Sequence, residues 1–382
     1  MYGNPPTGGI TSGPMTGCGA NTMKRLLAGC GVYLQGPDAL QKVGVLLGKR
    51  GYRKIFLIAG RKAFGAAESR LMPELIKLDG FCTPTFFGGH CTAEEITRYA
   101  NQAQKQQADC IVGLGGGKVM DLAKAAADEA GLPVFEVPAS AATCAAYAPL
   151  SVVYNSDGTQ HEIRFFDREV DGVFVDTQVI AQAPPRLLAA GLADAMAKAC
   201  EYATMMPHVA YGTLPMGKYL GFRLAEAADE AIAVCALPAM ESVHRREVSP
   251  FLEDAVCCAI ACTGIVSGLG GFDGRGGARF AIAHAFNEVL RGKWFSPHQW
   301  LHGEVVAVGI LAQMHANGTH LDQIAARREL FSRMGVPVTL KALSPTLSGE
   351  GIHLFEQEIL RRIQVSGLQE KAVLEAIDSV TD

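Results

Sequence analysis

Residues 110–131, CIVGLGGGKVMDLAKAAADEAG, join an apolar run to an alanine-rich segment through a glycine-rich turn. The apolar run is typical of a buried strand, and the alanine-rich segment is typical of a helix that ends at Gly131. Glycines let the backbone approach a phosphate closely, and a helix N-terminus adds unpaired N–H groups and the positive end of its dipole. With Lys118 as a nearby cation, this turn is predicted to bind phosphate, although glycine-rich turns also serve packing alone. It is neither a GxxxxGK[ST] loop, because Val119 follows Lys118, nor GxGxxG, because Lys118 takes the sixth position.

Strands and helices alternate on both sides of this turn. Predicted strands are 32–36, 54–60, 110–116, 133–140 and 172–180, predicted helices are 38–51 and 118–131, and a hairpin with an Asp-Gly turn falls within 151–166. Such alternation predicts an α/β fold with a parallel sheet covered by helices on both faces. From residue 181 onward the pattern is helical. We therefore expect a mobile arm at 1–30, an α/β nucleotide-binding domain at 31–180 and an all-α domain at 181–382.

Composition argues against several classes of protein. The chain has 382 residues, 49% of them hydrophobic, and a formal net charge of -4, so neither nucleic acid nor an anionic membrane is an expected partner. Its 11 cysteines contain no CxxC pair, which indicates free thiols in a reducing cytoplasm. The N-terminus lacks the pattern of a signal peptide, and the apolar part of 251–271 is judged too short to cross a bilayer.

The turn after the second strand bears on the choice of cofactor. Gly60 is followed by Arg61 and Lys62, with no acid to take a ribose 2′-hydroxyl. These residues either form a simple turn or accommodate the 2′-phosphate of NADP.

Three polar residues stand inside apolar helical segments of the second half, namely Asp194, His284 and His302. A buried carboxylate is unfavourable unless it is paired or bound to a cation. One Asp and two His make a donor set suited to Zn²⁺ or Fe²⁺, whereas a single such His is more often an ordinary core residue. His298 and His302 are four residues apart and would share one face of a helix. Spacing alone leaves the metal site and plain packing both open.

Four stretches together resemble the glycerol-dehydrogenase-like branch of the metal-dependent, iron-containing alcohol dehydrogenases: 113–124, 176–201, 281–290 and 301–314. The resemblance implies the fold shared with dehydroquinate synthase, in which metal and nicotinamide lie between an α/β domain and a helical domain. It makes Asp194, His284 and His302 the metal ligands, and His298 either a proton relay or a packing residue. The implied cofactor contacts are Gly60, Gly115, Gly116, Gly117, Lys118 and Asp121 on the phosphate side and Ala139, Ala142, Thr143, Ala148, Leu150 and Tyr154 on the nicotinamide side.

Residues 137–154, VPASAATCAAYAPLSVVY, depart from the glycerol dehydrogenases. Those enzymes resemble VPTIASTDAP here, with hydroxyl residues at the positions of Ala139 and Ala142 and a substrate-binding aspartate at Cys144. A thiol is a poor acceptor for a polyol's hydroxyl groups, and it does not repel an anion. The segment looks more like a subgroup that reduces 2-oxo acids to 2-hydroxy acids.

These features together predict a metal-dependent dehydrogenase that transfers hydride between NAD or NADP and a small alcohol or 2-hydroxy acid, with Zn²⁺ as first choice and Fe²⁺ as second. We expect small-molecule partners only and a cytoplasmic homo-oligomer. Three rivals remain. A glycerol dehydrogenase producing dihydroxyacetone would have to tolerate Cys144. A dehydroquinate-synthase-type cyclase or lyase would need several Lys and Arg beside Asp194 or His302, and no such cluster is apparent. A degenerate scaffold would have no reason to retain buried ligands that destabilise the fold.

Overall fold

A computed structural model of the chain describes residues 27–205, 215–271, 281–294, 299–363 and 368–382. Its first half is built on a six-stranded sheet in which every pairing is parallel. The strands are β1 (Tyr33–Gly36), β2 (Ile55–Ala59), β3 (Cys82–Phe86), β4 (Cys110–Gly115), β5 (Val134–Pro138) and β8 (Gly172–Asp176), in the spatial order β1-β8-β5-β4-β2-β3. Strands β2, β4, β5 and β8 are buried along their whole length, as expected for a parallel sheet with both faces covered.

The elements between these strands agree with most of the sequence-based predictions. The connecting helices are α1 (Val43–Lys49), α2 (Arg61–Ile76), α3 (Ala93–Lys105) and α4 (Gly117–Ala130). Gly131 caps the C-terminus of α4 with a left-handed φ of 68°, which favours glycine. The predicted hairpin is present as β6 (Leu150–Tyr154) and β7 (Gln160–Phe165), with Gly158 at φ 85° in its turn.

One predicted strand is too long. Residues 172–180 were expected to be extended, but β8 ends at Asp176. The Asp176 carboxylate accepts a hydrogen bond from Gln178 N and caps helix α5 (Thr177–Gln182). Asp is a strong N-cap residue because its side chain satisfies an otherwise unpaired N–H.

From α5 onward the described chain is helical. The further helices are α6 (Pro185–Met205), α7 (Met216–Arg245), α8 (Pro250–Cys257), α9 (Thr263–Val266), α10 (Ile282–Lys293), α11 (His302–Ala316), α12 (Leu321–Arg333), α13 (Leu340–Leu343), α14 (Glu350–Arg362) and α15 (Glu370–Asp378). The domain limits at 30 and 180 stay predictions. Most of the expected N-terminal arm lies outside the described residues, and Gly29 N donates to Glu169 Oε1 at 2.9 Å.

The expectation about membrane-spanning length was wrong. π-helical turns at Cys258–Cys262 and Ser267–Gly271 join α8 and α9 into one run. Pro250–Gly270, 21 residues, is the one stretch within the described ranges that is long and apolar enough to cross a membrane. However, 61% of its most apolar window is buried inside the protein, as in the core helix of a globular fold.

Candidate metal centre and cofactor cleft

The structure brings together the three side chains singled out as metal ligands. Asp194 lies on α6, His284 on α10 and His302 at the first position of α11. Asp194 Oδ1 is 3.2 Å from His284 Nε2 and 3.3 Å from His302 Nε2. One donor atom from each residue lies within 4.8 Å of the others. Residues far apart in sequence thus present one carboxylate oxygen and two imidazole nitrogens to the same point.

Close helix packing makes this meeting possible. The start of α11 touches α6 at Gly303, and the start of α6 touches the chain after β5 at Gly191, where a Cβ would overlap the carbonyl oxygen of Ala141. Arg186 near the start of α6 forms an ion pair with Glu304 of α11. Glycine at the two contact points lets the backbones approach, so the ligands can converge.

A carboxylate orients His284. His284 Nδ1 lies 2.6 Å from Glu201 Oε1, and the His284 backbone N–H donates to the same oxygen at 3.0 Å. A carboxylate on Nδ1 fixes the imidazole with its Nε2 lone pair available, which is the usual support for a metal-binding histidine. The sequence analysis did not identify Glu201, although its position seven residues after Asp194 places it on the same side of α6.

Lys198 is a second residue that the sequence analysis missed. It follows Asp194 by four residues on α6, is 6% exposed, and its Nζ lies 3.4 Å from His284 Nε2. A single lysine at this point is not the cluster of several Lys and Arg that a dehydroquinate-synthase-type site would need. On α10, Arg291 is close enough to His302 to influence its pKa.

Electrostatics favour a charged carboxylate at this point. Burial alone would raise the pKa of Asp194, but His302, His284 and Lys198 together hold it well below its ordinary value. Burial likewise opposes ionisation of Glu201, yet the charge and hydrogen bonds of His284 lower its pKa to about 2. Burial lowers the pKa of His302 despite the neighbouring Asp194. Burial opposes a charged His284, but Glu201 and Asp194 raise its pKa, so it would release any proton on binding a metal. One ionised carboxylate and two imidazoles fit a divalent metal.

The glycine-rich turn has the geometry expected of a phosphate loop. Gly115 ends β4, Gly116 is the N-cap of α4, and Gly117 and Lys118 form its first turn. A Cβ added to Gly116 would meet no atom within 4 Å, whereas one on Gly115 would lie 2.6 Å from Val119 Cγ2. Open space beside Gly116 leaves room for a ligand at the helix N-terminus.

The predicted nicotinamide-side residues run alongside this loop. Ala139 N donates to Gly115 O at 2.8 Å, and Thr143 Oγ1 is 3.3 Å from where a Cβ of Gly117 would stand. Ala142, Thr143 and Ala148 follow β5, and Leu150 and Tyr154 belong to β6. The residues assigned to the two sides of a cofactor therefore lie together, and their contacts with it stay predictions.

Buried Lys124 anchors this segment. Its Nζ donates to the carbonyl oxygens of Ala145 at 2.6 Å, of Ala148 at 2.9 Å and of Leu150. It also lies 3.4 Å from Asp121 Oδ1. The Asp121 carboxylate is turned into the protein, where burial raises its pKa to about 6 against the opposing effect of Lys124. Asp121 therefore supports the loop from inside, and its expected cofactor contact stays a prediction.

Cys144 lies within this anchored segment. It is partly exposed, and burial of its thiol, together with the charge of Asp194, raises its pKa to about 11, with Lys198 opposing. The residue is therefore neutral at physiological pH and close to the metal-ligand cluster. His298, by contrast, lies outside the described residues.

Arg61, the first residue of α2, is exposed two residues after the end of β2. Gly60 is the N-cap of α2. A Cβ added to Gly60 would lie 3.6 Å from Val119 Cγ2 in the first turn of α4. The Arg61 guanidinium lies 4.6 Å from the centre of the Phe86 ring. Stacking on an aromatic ring fixes the guanidinium direction without neutralising its charge.

Comparison with known proteins identifies the fold and its chemistry. Residues 31–176 match the family model described as iron-containing alcohol dehydrogenase. Hydroxycarboxylate dehydrogenase A of Escherichia coli is 30% identical over 85% of this chain and 87% of its own, and a glycerol dehydrogenase of Thermotoga maritima is 32% identical over 81% and 82%. The chain belongs to the iron-containing alcohol dehydrogenase family. The crystal structure of glycerol dehydrogenase from Schizosaccharomyces pombe superposes on this dehydrogenase with a TM-score of 0.80 at 25% identity, covering 94% of this chain and 91% of the other.

Family membership confirms the predicted fold and class of enzyme. This dehydrogenase is a metal-dependent oxidoreductase that acts on small alcohols with a nicotinamide cofactor. A parallel sheet with a glycine-rich turn at the start of a helix, and a helical half with an Asp-His-His cluster, are compatible with this chemistry.

Proposed function

We propose that this dehydrogenase interconverts a 2-hydroxy acid and its 2-oxo acid, with a divalent metal held by Asp194, His284 and His302. The observation that supports the metal site is the convergence of these three side chains within 4.8 Å. Zn²⁺ is our first choice because a nitrogen-rich set with one carboxylate suits it, and Fe²⁺ is the second. When bound, the metal supplies Lewis acidity and the nicotinamide supplies hydride.

The chain's own residues fix the groups that line the site. The Lys124 ammonium fixes the segment that follows β5 through three carbonyl oxygens. The carboxylate of Glu201 holds His284 in one tautomer. Orientation of this kind lowers the barrier because the reacting groups are already aligned.

The substrate class is inferred from Cys144. Cys144 carries a neutral thiol close enough to Asp194 and Lys198 for their charges to influence its pKa. The related glycerol dehydrogenases are expected to have aspartate at this position. A neutral residue does not repel a carboxylate, and a thiol accepts the hydrogen bonds of a polyol poorly. Similarity to hydroxycarboxylate dehydrogenase A over most of both chains also supports an acid substrate.

Cofactor choice rests on the end of β2. We propose that NADP is accepted as well as NAD, because Arg61 occupies the turn where an acid would favour NAD. A cytoplasmic homo-oligomer is likewise proposed.

The test is oxidation of NADH and NADPH by the Zn²⁺- or Fe²⁺-loaded protein with 2-oxo acids, simple aldehydes and dihydroxyacetone. We expect turnover of a 2-oxo acid that is lost on chelation and in His302→Ala. Preference for dihydroxyacetone would instead favour the polyol alternative, which the similarity to glycerol dehydrogenases supports. No oxidation of either cofactor with any substrate would contradict the proposal.

A further inference from the structure

Arg291 of α10 lies between the segments that carry the two candidate histidine ligands. Its Nε donates to Asn287 Oδ1 at 2.7 Å, so the side chain runs back along α10 toward His284, which shares this face of the helix. Its Nη2 donates at 2.9 Å to the carbonyl oxygen of Trp300, two residues before His302. The guanidinium is therefore held from the His284 side and from the His302 side at once.

The contacts of Arg291 orient its charge without neutralising it. Both of its acceptors in the described part of the chain are neutral, one an amide oxygen and the other a carbonyl oxygen. The carboxylate of Glu304 is close enough to influence the Arg291 pKa, but it is the ion-pair partner of Arg186 of α6. Because guanidinium is always charged in proteins, Arg291 retains a positive charge with which an anionic ligand can pair.

Arg291 borders the cleft. The side chain is accessible to solvent, yet the surrounding protein lowers the pKa of its guanidinium, with Tyr154 and Glu304 opposing. Burial, and after it the charge of Arg291, lower the pKa of Lys118 in the phosphate loop. Arg291 is thus near groups of the nucleotide-binding half as well as the metal ligands, in the region where a substrate would lie.

We propose that the Arg291 guanidinium binds the carboxylate of the substrate and so selects 2-oxo acids over neutral carbonyl compounds of the same shape. This inference rests on the proposed function and assigns its substrate preference to one side chain outside the metal ligands. In a 2-oxo acid the carboxylate is attached directly to the carbonyl carbon, so a substrate whose carbonyl oxygen lies beside His284 and His302 brings its carboxylate to the same place. A planar guanidinium binds a carboxylate through charge-assisted hydrogen bonds.

A phosphate of the cofactor is the other anion that could reach this point, because Lys118 of the phosphate loop is also close. The contacts of Arg291 favour the substrate. Its two hydrogen-bond partners, Asn287 and Trp300, belong to the segments that carry His284 and His302, and neither belongs to the phosphate loop. The guanidinium is therefore fixed relative to the metal ligands, as a residue that orients a metal-bound substrate must be.

The experiment compares two substrates that differ in charge and hardly in shape, pyruvate and pyruvamide. Metal-loaded wild type, Arg291→Met, Arg291→Lys and Arg333→Met are assayed for kcat/KM on both, and bound metal is measured for each. Arg333 is an exposed cation at the end of α12 and controls for loss of one positive charge. In parallel, binding of oxamate, of neutral oxamide and of NADH is measured by calorimetry, which requires no turnover.

We expect Arg291→Met to lower the pyruvate-to-pyruvamide ratio of kcat/KM by roughly 10–100-fold, the effect of losing a hydrogen bond between charged groups. Oxamate binding should weaken by a similar factor, while oxamide binding, NADH binding and bound metal should remain at the wild-type level. Arg291→Lys should lose less than Arg291→Met, because it keeps the charge without the planar fork. Arg333→Met should behave as wild type does.

An unchanged ratio and unchanged oxamate binding in Arg291→Met would overturn the inference. So would an equal loss on pyruvate and pyruvamide together with lost metal, because Arg291 would then only hold the segment before His302. Weaker NADH binding with unchanged oxamate binding would assign Arg291 to a cofactor phosphate instead. If wild type turns over neither pyruvate nor pyruvamide, the proposed reaction has failed for this pair. The oxamate measurement still decides whether Arg291 binds a carboxylate, and a wild type that binds oxamate no more tightly than oxamide would refute it.

Discussion

Gly303 of α11 and Ala190 of α6 are in such close contact that a Cβ on Gly303 would lie 1.7 Å from the carbonyl oxygen of Ala190. This contact joins the helix that begins with His302 to the helix that carries Asp194. Glycine at this position therefore sets the distance between two of the three candidate metal ligands.

Gly303→Ala should both destabilise the protein and weaken metal binding. Overpacking of this kind raises the free energy of the folded state by about 1–3 kcal/mol, and separation of α6 from α11 would move His302 away from Asp194. Urea unfolding and bound metal per chain measure the two effects. Gly65→Ala is the control, because no atom lies within 4 Å of its added Cβ and it lies inside α2; it should stabilise by up to about 1 kcal/mol. Equal stability of Gly303→Ala and wild type would refute the packing argument.

Glu201→Gln should bind metal about 10–100-fold more weakly, because His284 loses the carboxylate that fixes its tautomer. Competition with a chromogenic chelator measures this directly and does not depend on turnover. Glu241→Gln removes a carboxylate that is 62% exposed on α7 and should bind metal as wild type does. If the two variants bind metal equally well, Glu201 does not position His284.

Alanine substitutions of the neighbouring residues Gly116 and Gly115 should differ in their effects on stability and on cofactor affinity. Gly116→Ala should leave the melting temperature nearly unchanged, because its φ of −97° suits alanine and its added Cβ meets no atom within 4 Å. The new methyl group would occupy the space next to the helix N-terminus, so NADH and NADPH should bind more weakly. Gly115→Ala should instead lower stability, because its Cβ would meet Val119. Wild-type cofactor affinity in Gly116→Ala would place the phosphates elsewhere.

Arg61→Ala should raise the KM for NADPH about 10-fold and leave the KM for NADH nearly unchanged, because only NADPH carries the 2′-phosphate. Steady-state kinetics with both cofactors at a fixed substrate concentration test this. Lys62→Ala, at the next and equally exposed position of α2, serves as the comparison. A similar change in the KM for NADPH and the KM for NADH would show that Arg61 does not bind the 2′-phosphate.

Glu136 should make the wild type less stable as the pH rises. It lies fully buried on β5, and among the described residues neither of its carboxylate oxygens has a hydrogen-bond partner. Burial raises its pKa well above the ordinary value, with Lys124 opposing and Asp121 reinforcing the shift. The folded state therefore retains a proton that the unfolded chain releases above about pH 4.5, so stability falls as pH increases above that point.

Glu136→Gln removes this proton uptake and should lose less free energy of unfolding than wild type between pH 5 and pH 8. Denaturant unfolding at the two pH values gives the comparison, with exposed Glu68→Gln as the control. Parallel pH profiles for wild type and Glu136→Gln would mean that the carboxyl group ionises in the folded protein.

Local patterns were sufficient to predict much of the fold. The strand, glycine turn and helix of 110–131 and the Asp-Gly hairpin are encoded by residues adjacent in sequence, and both are present. Where two tendencies overlap, the prediction failed. Residues 177–180 have an apolar, strand-like pattern, yet the cap from Asp176 makes them helical. The apolar part of 251–271 was judged too short to cross a membrane. It proved longer because π-helical turns continue the helix that begins at Pro250.

The supporting part of the site could not be predicted from pattern alone. Lys198 and Glu201 look like ordinary polar positions of α6, and only the packing of α10 against that helix shows that both face His284. Lys124 resembles any helical lysine in sequence, but its partners are carbonyl oxygens 21 to 26 residues away. Such contacts are determined by tertiary structure, so they leave no periodicity in the sequence.

The placement of Asp194, Lys198 and Glu201 along one side of α6 has a consequence for how this enzyme can diverge. Successive residues of an α-helix are rotated by about 100°, so one residue inserted between 194 and 201 would turn the later positions away from the site. Length changes within this stretch would therefore remove the contact of Glu201 with His284 and so weaken metal binding. A point substitution within the same stretch keeps the later side chains on the same side of the helix, so the surroundings of the ligands can change one residue at a time.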